Sequence, residues 1–553
     1  MCRFCQSIED ICLFEEPLDL NASDQSAAAP SLVYNYDQIA TQLTDGFWSH
    51  FGGGPRRFDV TAGGTLFVDI SALTTNGQAM ARQALEAWTA VTGISFVEVN
   101  SFAPANTKWS EIGDAAADQT TAYTMAVGDD FTGTLTTGTD RDAIAVTLTA
   151  GQTVDIRLSG EGSAGNPTAD PYLWLLDSAG NVLAENDDAS GSDSALTFQA
   201  PSTGTYFLRA GSFADAHPGD YHLSIRETSA TVDIVFNDDA AGAYSTSSVS
   251  GGFIQSSFIN INANWAGGSA RTDGYFFQTY LHEIGHALGL GHAGNYNGSA
   301  SYANDAMYLN DSWQASLMSY FHQTENTWLS ASFGYAITPM MADIIAVQYL
   351  YGIAAANTGD TTYGNGSNTG TYLDAALNLS NPVTFTIYDT GGADTFDFSS
   401  YTAHQTLDLR PETFSDLAGL RGNVGIARGT IIENGLTGGG NDTLVGNTAD
   451  NYLAAGAGQD SVDGGAGNDA IRGGTGSDLL GGGDGFDFIE GGSGNNLISG
   501  GAGSDLLFGG EVTLQSLIEV FPGWTPPVNV QALLDNTDYM ALWNDIMGDI
   551  AIA

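Results

Sequence analysis

The apolar positions change period several times along the chain, and each change predicts a different element. Residues 1–30 keep no sustained period and read as an N-terminal extension. From Ser31 the pattern becomes globular: Thr65–Ile70 predicts a strand, Gln78–Val91 an amphipathic helix, and Ile94–Val99 a second strand. Between 106 and 230 short β-runs take over, among them 144–148, 154–158, 172–176 and 205–209, with turn residues between them and no helical period. Val232–Phe236 then returns to the earlier style and leads into a predicted helix over Phe277–Leu290. An antiparallel β-sandwich inserted into an α+β domain follows from this order. Thr338 and Pro339 predict the N-cap and first position of an apolar helix that runs to Tyr351 and stops at Gly352.

Beyond a Gly-, Asn- and Thr-rich linker, residues 437–508 divide into nine-residue units such as GGAGNDAIR and GGTGSDLLG. The sixth position of each unit is Asp442, Asn451, Asp460, Asp469, Asp478, Asp487, Asn496 or Asp505, and an aliphatic residue follows two places later. A flexible Gly-rich linker would not hold that register. The period is that of a parallel β-roll, whose turns present carboxylates and carbonyls as hard oxygen donors for Ca²⁺. Asn451 and Asn496 should weaken the cation sites beside them. The expected organisation is an extension (1–30), a split domain (31–105 and 231–355), the inserted sandwich (106–230), a β-rich region with the roll (356–510), and a tail (511–553).

Charge narrows the possible partners. With 14 Lys+Arg against 64 Asp+Glu the formal charge is −50, which excludes nucleic acid as a natural partner and makes cations the first suspects. Gly is abundant, at 71 of 553 residues, and the three cysteines, Cys2, Cys5 and Cys12, all lie at the N-terminus, so no disulfide can staple the body. The longest apolar stretch, 337–355, contains Asp343 and Gln348 and reads as a core helix, so no membrane insertion is expected. Met1–Glu16 lacks the basic and apolar regions of a cleavable secretory signal.

The sharpest chemistry is HEIGHALGLGH at 282–292. His282 and His286, four apart, share one helix face; Gly289 allows a turn, and His292 can then approach from a third side. Three neutral imidazoles leaving a fourth position open describe a catalytic rather than a structural zinc site. Glu283, beside the first histidine, is placed as general base. His50, His217, His222, His322 and His404 have no such spacing and are read as ordinary polar residues.

This motif, with Asn295–Gly298, Ser316–Tyr320, Thr338–Met341, Tyr388–Phe398 and Gly422–Gly429, resembles the metzincin zinc peptidases, and their serralysin branch in particular. The resemblance implies His282, His286 and His292 as zinc ligands, Glu283 as the base, Met318 as the methionine beneath the metal, and Tyr320 as a tyrosine able to swing between zinc and oxyanion. It also implies a peptide-pairing edge strand near Ala243 and Tyr244. The insert resembles the bacterial pre-peptidase C-terminal domain through Asp170–Asp177 and Asn186–Asp188. The expected function is a secreted, extracellular, calcium-dependent zinc endopeptidase of broad specificity, acting on protein and peptide substrates and exported by type I secretion machinery. In that reading Asp442, Asp460, Asp469, Asp478, Asp487 and Asp505 bind calcium, while Cys2, Cys5 and Cys12 are candidate latency thiols. The alternative is an extracellular adhesin or matrix-binding protein with a vestigial zinc site.

Overall fold

The computed structural model describes residues 32–99, 107–160, 168–187, 193–227 and 232–510. The extension with its three cysteines, and the tail from 511, lie outside the described residues. The chain divides into two compact units, Glu98–Val232 and the remainder on either side of it.

In the larger unit a five-stranded sheet runs Ala243–Ser250, Phe253–Ile261, Ile234–Asn237, Thr65–Asp69, Ser95–Glu98. Its first strand is an edge, antiparallel to the second, whereas Ile234–Asn237 is parallel to both of its neighbours. The Thr75–Thr92 helix starts where the Thr74 side chain accepts from the Gly77 N–H and ends at Gly93 in the left-handed region. Its Ala84, Leu85, Trp88 and Val91 side chains are buried at helical spacing. Trp88 donates its indole N–H to the Leu281 carbonyl at 3.0 Å, fixing this helix to the Tyr275–Ala287 helix.

The Met341–Tyr351 helix begins two residues later than Thr338 and Pro339 predict. Thr338 is occupied elsewhere, its hydroxyl accepting from the Thr386 N–H. The Asp343 carboxylate instead accepts from the Met340 N–H at 2.8 Å and caps the first turn.

C-terminal to this helix lie two parallel sheets, one of seven strands and one of five, to which the nine-residue units add four strands each. Successive units alternate between sheets, so residues stack on partners eighteen positions on, such as Leu444 on Val462 and Leu453 on Ile471. The aliphatic residues Leu444, Leu453, Val462, Ile471, Leu480 and Ile489 are buried in a core continuous with that of the α+β part. Turns this tight require glycine: Gly474 has φ +100°, and a Cβ there would lie 2.0 Å from the Gly456 carbonyl oxygen.

The smaller unit packs two five-stranded sheets around its own core, which includes Phe131, Ile144, Leu158, Leu173, Leu208 and Leu223. The long strands pair antiparallel, as expected, but the short strands Lys108–Ser110 and Thr124–Met125 pair parallel to theirs. Neither short strand reaches its partner through a tight hairpin, which is what antiparallel pairing of sequence neighbours needs.

Candidate metal centre

The Tyr275–Ala287 helix carries His282 and His286 on one face, one turn apart, with Glu283 buried beside them. Leu288 caps the helix, and Gly289 turns the chain with φ +104°. A side chain at that glycine would collide with the Arg56 carbonyl, 2.1 Å from a Cβ, so only glycine lets His292 return toward the helix. The ring nitrogens offered by His282, His286 and His292 all lie within 4.8 Å of one another, and the Nε2 atoms of His286 and His292 are 3.0 Å apart.

Backbone carbonyls set the tautomers. Nδ1 of His282 lies 2.9 Å from the Leu317 oxygen, and Nδ1 of His286 lies 2.8 Å from the Leu290 oxygen. Each carbonyl can only accept, so Nδ1 carries the proton and Nε2 turns its lone pair inward. Burial drives the pKa of His282 down to about 4 and that of His286 to about 3, and holds His292 well below its ordinary value. The three rings are therefore neutral at physiological pH, the form that binds a metal. The donor set fits zinc.

Met318 is fully buried beneath this group, with its sulfur against Gly285. The Tyr320 ring stands edge-on to His292, with centroids 4.5 Å apart, and its hydroxyl accepts from the Gly298 N–H at 3.3 Å. Two carboxylates that sequence reasoning did not assign hold the Ser316–Tyr320 turn. Asp343 accepts from the Ser316 hydroxyl at 2.6 Å and the Leu317 N–H at 2.8 Å. Asp311 accepts from the Ser319 hydroxyl at 2.6 Å and the Tyr296 hydroxyl at 3.1 Å. Burial raises both to a pKa of about 7. The signal for Asp343 was present in the sequence: a lone carboxylate in an otherwise apolar helix must have partners.

In the roll, the sixth-position side chains from Asp460 onward meet the backbone of the counterpart eighteen residues earlier. Oδ1 of Asp460 accepts from the Asp442 N–H at 2.7 Å, and Oδ1 of Asp487 accepts from the Asp469 N–H at 3.0 Å. Asp505 serves Asp487 in the same way. The other oxygens, Oδ2 of Asp442, Asp460, Asp469, Asp478 and Asp487, are buried without a hydrogen-bond partner. Burial raises Asp460 and Asp469 to a pKa of about 7, and also raises Asp478 and Asp487. Buried anionic oxygens lacking donors fit a hard divalent cation. The Asn451 and Asn496 amide groups donate to carbonyl oxygens, including Ile432 and Gly491 respectively.

Residues 354–508 match the family model described as Peptidase M10 serralysin C terminal, and residues 140–212 match the bacterial pre-peptidase C-terminal domain. Serralysin B of Dickeya chrysanthemi is 46% identical over 178 residues, covering 32% of this chain and 37% of that protein. Serralysin of Photorhabdus luminescens is 44% identical over 188 residues, covering 33% and 38%. Metalloprotease AprA of Pseudomonas entomophila is 41% identical over 245 residues, covering 43% and 50%. The matches thus span between about a third and a half of these relatives' lengths. The chain is thus similar to serralysin-type metallopeptidases, and its residues 140–212 to the bacterial pre-peptidase C-terminal domain.

Proposed function

We propose that the chain is a secreted, calcium-dependent zinc endopeptidase of broad specificity. The observation that carries this reading is the convergence of three neutral imidazoles, the half-buried His282 and His286 and the buried His292, with two of their tautomers fixed by carbonyls. Zinc held there would supply Lewis acidity toward water and toward a substrate carbonyl. Glu283, adjacent in sequence to the first ligand, takes the proton from the attacking water and delivers it to the leaving amine. Tyr320, beside His292, has a hydroxyl that can leave the Gly298 N–H and donate to the oxyanion, which is where negative charge develops.

The Ala243–Ser250 edge strand gives the substrate a backbone to pair with. Main-chain hydrogen bonds do not read side chains, so such pairing supports broad specificity. In the roll, stacked aspartates repel one another until calcium fills the turns. A low-calcium interior would keep this region unfolded for passage through type I machinery, and calcium outside would fold it. The test is hydrolysis of a protein substrate such as casein. Activity should vanish when zinc is chelated and return when zinc is restored in the presence of calcium; activity untouched by zinc chelation would refute the reading.

A further inference from the structure

The three candidate metal ligands are not held alike. His282 and His286 ride on one helix and donate from Nδ1 to backbone carbonyls. His292 lies beyond that helix, and its Nδ1 makes no hydrogen bond of good geometry, although the Tyr296 backbone is near. The stretch from Gly289 to Asn295 that carries it belongs to no helix or strand. What holds it comes from the N-terminal part of the chain.

Residues 36–50 form one helical rod, α-helical at both ends with a π turn over Gln42–Gly46. In an uninterrupted α-helix the Leu43 carbonyl would receive the Phe47 N–H. Here the Phe47 N–H bonds the Gln42 carbonyl instead, and the Leu43 carbonyl accepts from the Gly291 N–H at 2.7 Å. Single π turns of this kind are rare and gather at functional sites. Two further bonds flank that one: the Trp48 indole N–H donates to the Gly289 carbonyl at 2.8 Å, and Nε2 of Gln42 donates to Oδ1 of Asn295 at 3.0 Å. Between them the buried Phe47 ring stands edge-on to His292, with centroids 5.0 Å apart and planes at 86°. The same ring fills the space above Gly291, where a Cβ would lie 2.4 Å from it. The rod has its own anchorage, since Ile39 and Leu43 are fully buried in the main core.

We infer that this N-terminal rod, through the Leu43 carbonyl and the Phe47 ring, positions His292 as the third metal ligand. The inference rests on the zinc reading above and gives a part in it to residues far outside the histidine motif. Phe47 is a positioning residue, acting through the imidazole. With its ring removed, His292 remains but loses the wall that fixes its angle, so metal affinity and coordination geometry should change together.

Zinc competition against a chromogenic chelator, and the visible absorption spectrum of the cobalt(II)-loaded protein, test this on the full chain in calcium. Phe47→Ala should bind zinc about 10–100-fold more weakly, the range for groups that orient a ligand, and should shift the cobalt bands. Phe47→Leu should move both in the same direction, and it serves if the alanine variant does not fold. The effect should vanish in a His292→Ala background, because the ring acts only through that imidazole. Phe396→Ala truncates an equally large, fully buried ring in the C-terminal seven-stranded sheet. It should lower stability yet leave zinc affinity and the cobalt spectrum at their wild-type values. The inference is overturned if both Phe47 variants keep wild-type affinity and spectrum, if the loss persists undiminished without His292, or if Phe396→Ala weakens zinc binding as much. Zinc binding indifferent to His292→Ala would sink the metal reading itself, and this inference with it.

Discussion

A methyl group added at Gly285 would sit 2.7 Å from the sulfur of Met318 and 3.2 Å from the Trp88 ring. The helix bearing His282 and His286 therefore rests directly on the Ser316–Tyr320 turn, and its height above that turn is set by a missing side chain. Gly285→Ala should gain helix propensity of up to about 1 kcal/mol but lose more to overpacking, about 1–3 kcal/mol. The expected outcome is a net loss of stability with weakened zinc retention, read by chemical denaturation and by metal analysis after dialysis. An alanine variant as stable and as zinc-replete as wild type would mean the contact is slack.

Asp343 links the Met341–Tyr351 helix to the same turn and carries a pH signature. Burial raises its pKa to about 7, against about 3.9 for an unfolded aspartate. Between those values the folded state holds a proton that the unfolded state has released. Stability should accordingly fall as pH rises from about 4 to about 7, and Asp311 acts in the same direction. Asp343→Asn should flatten this slope and lower stability by about 1–3 kcal/mol, because one of the two oxygens that accept from the Ser316 hydroxyl and from the Leu317 and Met340 N–H groups becomes a donor. Denaturant midpoints measured across that pH range for both proteins decide the matter.

Asn451 is a break in the aspartate series with a structural reason. Its amide donates to the Ile432 and Glu433 carbonyls and its oxygen accepts from the Asn447 N–H. Asn451→Asp would turn a carboxylate toward those carbonyls, destabilising the start of the roll by about 1–3 kcal/mol in calcium-free buffer. Thermal melts should show the cost; an unchanged melt would mean that the amide contributes little.

The histidine motif and the repeats were legible in the sequence because local spacing alone encodes them. The geometry of the roll was only half legible. A period of nine hides a structural repeat of eighteen, since consecutive units enter different sheets and only alternate aspartates stack. Asp311 was not legible at all. Its partner Tyr296 shares no period with it, and only the folded backbone brings the two together. The late start of the Met341 helix has a similar cause: a tertiary hydrogen bond to Thr338 overrode a good local cap.

The central claim is that His282, His286 and His292 hold a zinc ion for which Glu283 is the general base. Its most direct test compares wild type with Glu283→Gln in the cleavage of a quenched fluorescent protein substrate, with zinc content measured on the same samples. The account predicts full zinc occupancy in both proteins and a rate at least about 10²–10⁴-fold lower in the variant. A variant that keeps its zinc and cleaves at the wild-type rate would contradict it.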